Sequence, residues 1–166
     1  MTTTAKTALA GLLLALIGAG ASPAQGVNGS LTASAALQAP IAVTGAIPLN
    51  FQSVFPGVTK TVAYSDVTAG RFDVTGQAST LVNYTFTLPA NLTNAGQNLP
   101  IGSWTGYVNT TQSTSGGTAI TPSAAAGSAT LSASGTLYFY VGATVTPANN
   151  LPAGSYTGTV TLTVSY

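Results

Sequence analysis

Between residues 154 and 166 the sequence alternates without a break. Tyr156, Gly158, Val160, Leu162, Val164 and Tyr166 share one register, and Ser155, Thr157, Thr159, Thr161, Thr163 and Ser165 share the other. A period of two sends successive side chains to opposite faces of a pleated sheet. The run therefore predicts a half-buried β-strand, apolar towards a core and hydroxyl-bearing towards water.

Shorter alternating or apolar runs recur between clusters of Gly, Pro and Asn, the spacing of an all-β sandwich or barrel. They predict strands over residues 27–37, 47–54, 58–64, 71–75, 82–88, 103–108, 129–133, 136–145 and 155–166, with turns at 55–57, 89–91 and 149–154. No helix of ordinary length is expected among them. Residues 110–127, rich in Ser, Thr, Gly and Ala without apolar periodicity, predict a long, mobile surface loop.

The first residues predict export. Lys6 supplies a short basic region, residues 8–17 are apolar, and small residues follow around Pro23. The apolar stretch is well below the roughly 20 residues of a membrane-spanning helix and reads as a signal peptide. Cleavage after Ala21 or after Ala24 fits the small-x-small rule. The second is preferred, making residues 1–24 the signal peptide and 25–166 one exported domain with no membrane insertion after cleavage.

Beyond that segment the only charged side chains are Lys60, Arg71, Asp66 and Asp73. Such a surface offers no electrostatic footprint for nucleic acid or for an anionic membrane. Near-zero net charge also favours association, and this is weighed equally against a surface that Thr, Ser and Asn keep hydrated. With no cysteine, an exported domain is held by burial and sheet pairing alone.

Catalysis at neutral pH usually needs a group that takes or gives a proton, and His, Cys and Glu are absent. Zinc finds no His or Cys, and calcium finds no Asp-rich loop, so neither a metal nor a cofactor is expected. Asp66, in a turn, and Asp73, two residues from Arg71, read as solvent-exposed charges rather than as the carboxyl pair of a glycosidase. The chain is not expected to be an enzyme.

Aromatic residues supply one candidate interface. Alternation sends Leu137, Phe139 and Val141 inwards and leaves Tyr138 and Tyr140 on the other face, where a neighbouring subunit, a carbohydrate or the 110–127 loop would cover them. Trp104 and Tyr107 fall on opposite faces of their strand, with Trp104 expected in the core. A secreted monomeric binding or adhesin module, using Tyr138, Tyr140 and the loop, is the alternative reading of function.

The other candidate is the segment after the signal peptide. Val27, Gly29, Leu31, Ala33, Ala35 and Leu37 share one register, Asn28, Ser30, Thr32, Ser34 and Gln38 the other, and Ala39 with Pro40 break the run. As a strand it pairs either within its own domain or, donated, with the next copy. In strand addition the backbone hydrogen bonds give affinity and alternate side chains fill pockets. Burying Val27, Leu31 and Leu37 contributes about 1.5–3 kcal/mol each.

One ordered set of short motifs spans nearly all of residues 25–166. It runs through Ala39, Pro40, Ile41, Ala42, Val43 and Thr44; Leu49, Asn50 and Phe51; Phe55, Pro56 and Gly57; and Gly70, Arg71, Phe72, Asp73, Val74, Thr75 and Gly76. It continues through residues 84–89, Ser134, Gly135, Thr136 and Leu137, and Gly154, Ser155, Tyr156, Thr157 and Gly158 to Tyr166. In this order the motifs resemble an uncharacterised family of exported bacterial single domains, similar to subunits of alternative chaperone-usher fimbriae of the Mat or common-pilus type. The resemblance implies an immunoglobulin-like antiparallel β-sandwich of about eight or nine strands. It also implies a fimbrial or cell-surface structural role, with self-association or other fimbrial subunits, a periplasmic chaperone and an usher as partners. It transfers no catalytic residue, and Gln52 stands where that pattern commonly has a glycine after Leu-x-Phe.

Overall fold

The structure is a computed structural model describing residues 26–166; the expected signal peptide, residues 1–24, lies outside them. All strands fall in the compact unit of residues 36–166. They are β1 (Ala42–Ile47), β2 (Lys60–Val62), β3 (Gly70–Thr75), β4 (Leu81–Thr87), β5 (Asn91–Asn94), β6 (Gln97–Asn109), β7 (Thr118–Ile120), β8 (Gly127–Thr130), β9 (Thr136–Val145) and β10 (Thr161–Ser165). No helix occurs among the described residues. Every pairing between these strands is antiparallel.

The larger sheet has seven strands, with β1-β3-β9-β6-β5 in order, β2 on β9 and β7 on β6; the smaller has three, β10-β4-β8. The sequence-based expectation of an antiparallel sandwich holds, with ten strands. β9 is the hub. Leu137, Phe139, Val141, Ala143 and Val145 alternate along it and are all buried, and its two edges carry β3 and β2 on one side and β6 on the other. Burial of one face along such a strand fixes the register, because a one-residue slip would turn the whole apolar set outwards.

Two clusters make the core. In the first, Val74, Val108, Leu137, Phe139 and Val141 of the larger sheet meet Val82, Phe86 and Leu162 of the smaller, together with Leu131. Phe139 sits edge-on to Tyr84 at 4.8 Å and to Phe86 at 6.0 Å between ring centroids. In the second, Leu99, Ile101, Ala143 and Val145 are covered by Phe51, Leu49, Val54, Leu151 and Tyr156, which lie outside the strands. Trp104 packs against both clusters, as expected of a core residue. The smaller sheet thus covers only part of the larger, and irregular chain covers the rest.

Several expected boundaries change. The strand placed at 47–54 is formed instead at Ala42–Ile47 and stops before Pro48, which has no N–H to give to a ladder. The strand at 103–108 extends back to Gln97 through a hairpin with β5, whose turn residues Ala95 and Gly96 both have positive φ. Such a turn is usually announced by Asn-Gly or Asp-Gly, so Ala95-Gly96 hid it. Within the loop expected at 110–127, Thr118–Ile120 pairs with β6. The terminal run keeps its alternation but only Thr161–Ser165 forms a ladder with β4. Residues 27–37 form no strand: Val27 is 94% exposed, Leu31 88% and Leu37 101%.

Phe139 is fully buried between the sheets, so Phe139→Ala should cost about 3–5 kcal/mol. A chemical-denaturation midpoint is the measurement, and an unchanged midpoint would contradict the packing described.

Candidate functional site

Between the irregular segments that cover part of the larger sheet lies an apolar cleft of about 1150 Å³. One wall is the chain from Gly45 through Ile47, Phe51 and Phe55; the other is Leu151 through Tyr156 to Val160; the floor includes Phe72, Leu99, Ile101 and Val141. Cavities for drug-sized ligands run to about 300–1,000 Å³. This one is somewhat above that range and is bounded on both sides by irregular chain.

The walls are made by local rules. β1 pairs with β3 along one edge only, and its ladder slips between Gly45 and Ile47. Val43 and Ile47 remain 36% and 37% exposed. Opposite, Thr157 exchanges both backbone hydrogen bonds with Thr93 of β5, at 2.8 and 3.1 Å, whereas Thr161–Ser165 pairs with β4. The alternating run therefore passes from one sheet to the other. Gly158 is at the crossing, where a Cβ would lie 2.8 Å from Leu92 Cδ2 and 3.3 Å from the Asn91 carbonyl. Among the described residues Gly158, Thr159 and Val160 make no backbone hydrogen bond, and β10 pairs on one side alone. The cleft thus lies between the end of β1 and the unpaired residues 158–160 that lead into β10, whose peptide groups are open to pairing.

Its first wall also holds a strained residue. Gln52 has φ of 55°, and its N–H donates to Asn50 Oδ1 at 2.7 Å. Left-handed backbone is where glycine is usual, which accounts for the glycine of the related pattern at this position.

At the opposite end, Tyr166 acts as a clamp. Its hydroxyl donates to the Ala39 carbonyl at 2.5 Å and accepts from the Gln77 N–H at 2.7 Å. The Ala39 N–H donates to Gln77 Oε1 at 3.1 Å. Gly76 makes room for the phenol, since a Cβ there would stand 2.9 Å from the Tyr166 oxygen.

The aromatic candidates Tyr138 and Tyr140 lie away from the cleft. They point outwards from β9, half-buried, in rows set by the ladder: Arg71, Tyr140 and Tyr107 in one, Asp73, Tyr138 and Asn109 in the next. Tyr64 stacks on Tyr107 at 5.2 Å with 9° between planes. Part of the 110–127 segment is tied down here: Asn109 Nδ2 donates to the carbonyls of Ser113 and Ser115, each at 2.9 Å, and the Gly117 N–H donates to the Tyr107 hydroxyl at 2.5 Å. The Gln112 amide, oriented to accept, faces the Arg71 guanidinium.

Asp73 is not the freely solvated charge expected. It is half-buried and accepts from Arg71 Nε at 2.7 Å and Nη2 at 3.1 Å, and this hydrogen bond raises the guanidinium pKa above its ordinary value. Asp66 is exposed and caps a turn, accepting from the Ala63 N–H at 2.8 Å. Both carboxylates are thus committed to local partners.

Sequence reasoning located the terminal run but not the cleft, whose walls read as continuous strands. The interrupting signals were Pro48 and Pro152.

The match to known families covers this whole arrangement: the domain of unknown function DUF4402 spans residues 29–166. The chain belongs to the DUF4402 family. A comparison with curated proteins gives no match. The DUF4402 match begins at Gly29, so it takes in most of the exposed segment 27–37 as well as both cleft walls.

Burial pushes the phenols of Tyr84 and Tyr140 above their ordinary value of 10.0. Folding therefore favours their neutral forms, and the stability they contribute is complete below pH 10.0 and lost as pH rises through the folded values. In an ultraviolet titration these two should ionise above pH 10.0 and together with loss of the near-ultraviolet dichroism. Ionisation of Tyr84 and Tyr140 at their ordinary value, with the fold intact, would contradict this.

Proposed function

We propose that this DUF4402 chain is a non-catalytic structural subunit of a bacterial surface fibre, exported and assembled by β-strand addition. Residues 27–37 of one copy serve as the strand that fills the cleft of the next. The observation that carries the reading is the cleft, with the end of β1 and the unpaired residues 158–160 on its walls, in a chain that also carries an exposed segment of alternating sequence. Val27, Leu31 and Leu37 are apolar, and the small Gly29, Ala33 and Ala35 stand between them. An inserted strand gains about 0.5–1.5 kcal/mol per backbone hydrogen bond and about 1.5–3 kcal/mol per buried large side chain. The motif resemblance to chaperone-usher subunits points the same way and makes a periplasmic chaperone and an usher the partners that would guard the cleft before assembly. The alternative, a monomeric carbohydrate-binding module, is less well supported, because Tyr138 and Tyr140 are half-buried in a hydrogen-bonded polar face.

The chain from Gln25 to Tyr166 should form polymers that persist in mild denaturant, while the Leu31→Asp chain should not, since an aspartate in an apolar pocket is costly to desolvate. Size-exclusion chromatography and electron microscopy read the outcome. A chain that stays monomeric, with the amides of residues 27–37 protected from exchange within their own sheet, would sink the proposal.

A further inference from the structure

We infer that the turn carrying Phe55 and Val58 is a docking surface for a second copy of this chain, receiving the end of the domain that holds Ala39, Gln77 and Tyr166. The inference rests on the strand-addition reading and concerns what happens outside the cleft.

Two facts about the chain force the contact. The apolar register of the donated segment ends at Leu37, and the backbone is clamped to its own domain at Ala39 by Tyr166 and Gln77. Only Gln38 lies between. At about 3.3–3.6 Å per extended residue, a donor seated up to Leu37 leaves its own domain no more than about 7 Å away. The two domains therefore abut.

The geometry of the cleft selects the surface. β9 gives the scale: Thr136, laddered to Thr75 and so to Ala42, marks the clamp end, while Val145, laddered to Lys60 and Ile101, marks the other. The nine steps between them make about 30 Å at about 3.4 Å per residue. Towards the clamp end the cleft is closed, because β1 and β10 approach one another and Tyr166 bonds Ala39. At the other end, past Val145, its lining runs on through Pro147 to Leu151, with Phe55 on the facing wall. The neighbour's domain is thereby placed at that end, and the two ends of one domain meet different partners. Such a contact does not close on itself and propagates as a filament.

The surface at that end suits this use. Phe55 is 67% exposed and Val58 56%, yet their turn is fixed. The Gly57 N–H donates to the Pro147 carbonyl at 3.2 Å, and the Val58 N–H to the Phe55 carbonyl at 3.1 Å. A rigid, exposed aromatic beside an apolar opening is the kind of residue that dominates contact energies.

The test uses full chains from Gln25 to Tyr166, which carry no native cysteine. Phe55→Cys and Ala78→Cys chains, Ala78 being exposed next to Gln77, are co-assembled and oxidised. They should yield mixed disulfide dimers several-fold above an Ala78→Cys plus Ser128→Cys control, Ser128 being exposed on β8. Val58→Ser, at an exposed position outside the cleft lining, should lower the denaturant midpoint of polymer dissociation and leave that of monomer unfolding unchanged. Polymers whose cross-linking equals the control and whose dissociation ignores Val58→Ser would overturn the docking surface while leaving strand addition standing. Absence of polymers from the wild-type chain, or polymers of equal stability from Leu31→Asp, would overturn strand addition and the docking surface with it.

Discussion

Each peptide group carried into this core has to be paired in a ladder, because the chain offers little else. It has no disulfide, and the described residues hold a single ion pair, between Arg71 and Asp73. Buried N–H and C=O groups left without partners cost as much as the hydrogen bonds they forgo. β9 answers this requirement most fully, with partners along both edges and an unbroken apolar face. The other strands take their positions from it. The place where pairing stops, between β1 and the run leading into β10, is accordingly the place where the molecule can still gain most.

Much of the fold was legible because burial on one sheet face writes a period of two into the sequence. β9 was read to the residue, and of the inward set of residues 154–166 Tyr156, Val160, Leu162 and Val164 are buried or half-buried, whereas Gly158 and Tyr166 are exposed. What the period does not encode is the partner of each stretch. Residues 154–166 alternate as one strand, but Thr157 pairs with β5 and Thr161–Ser165 with β4, and only Gly158 hints at the change. Residues 27–37 carry the same alternation with no ladder at all. Alternation reports which face a residue is fit to bury, and pairing depends on chain that may be remote in sequence or belong to another molecule.

The cleft escaped the sequence reading for the same reason. Its floor, Leu99, Ile101 and Val141, looks like ordinary core in the sequence, and it is ordinary core on the side of the larger sheet. It becomes a site only because the three-stranded sheet is too narrow to cover it. The positive φ of Gln52 marks how tightly the wall residues turn to partly fill that gap, and a glycine there would relieve the strain at little steric cost.

Open strand edges are a hazard that proteins usually blunt with charge, proline or a covering element. Neither of the edges flanking this cleft is blunted. β1 reads Ala-Val-Thr-Gly-Ala-Ile, and residues 154–166 contain no charged residue and no proline. Pro48 and Pro152 stand on the cleft walls just beyond these stretches. Two unguarded edges facing a shared apolar opening would make such a domain prone to indiscriminate association if nothing filled the gap. A segment of uncharged, alternating sequence carried by every copy is a specific filler, always present at the concentration of the protein itself. Under the strand-addition proposal, the lack of protective charge and the exposed segment at residues 27–37 would be two halves of one design, the edge being kept open for a strand from the next copy.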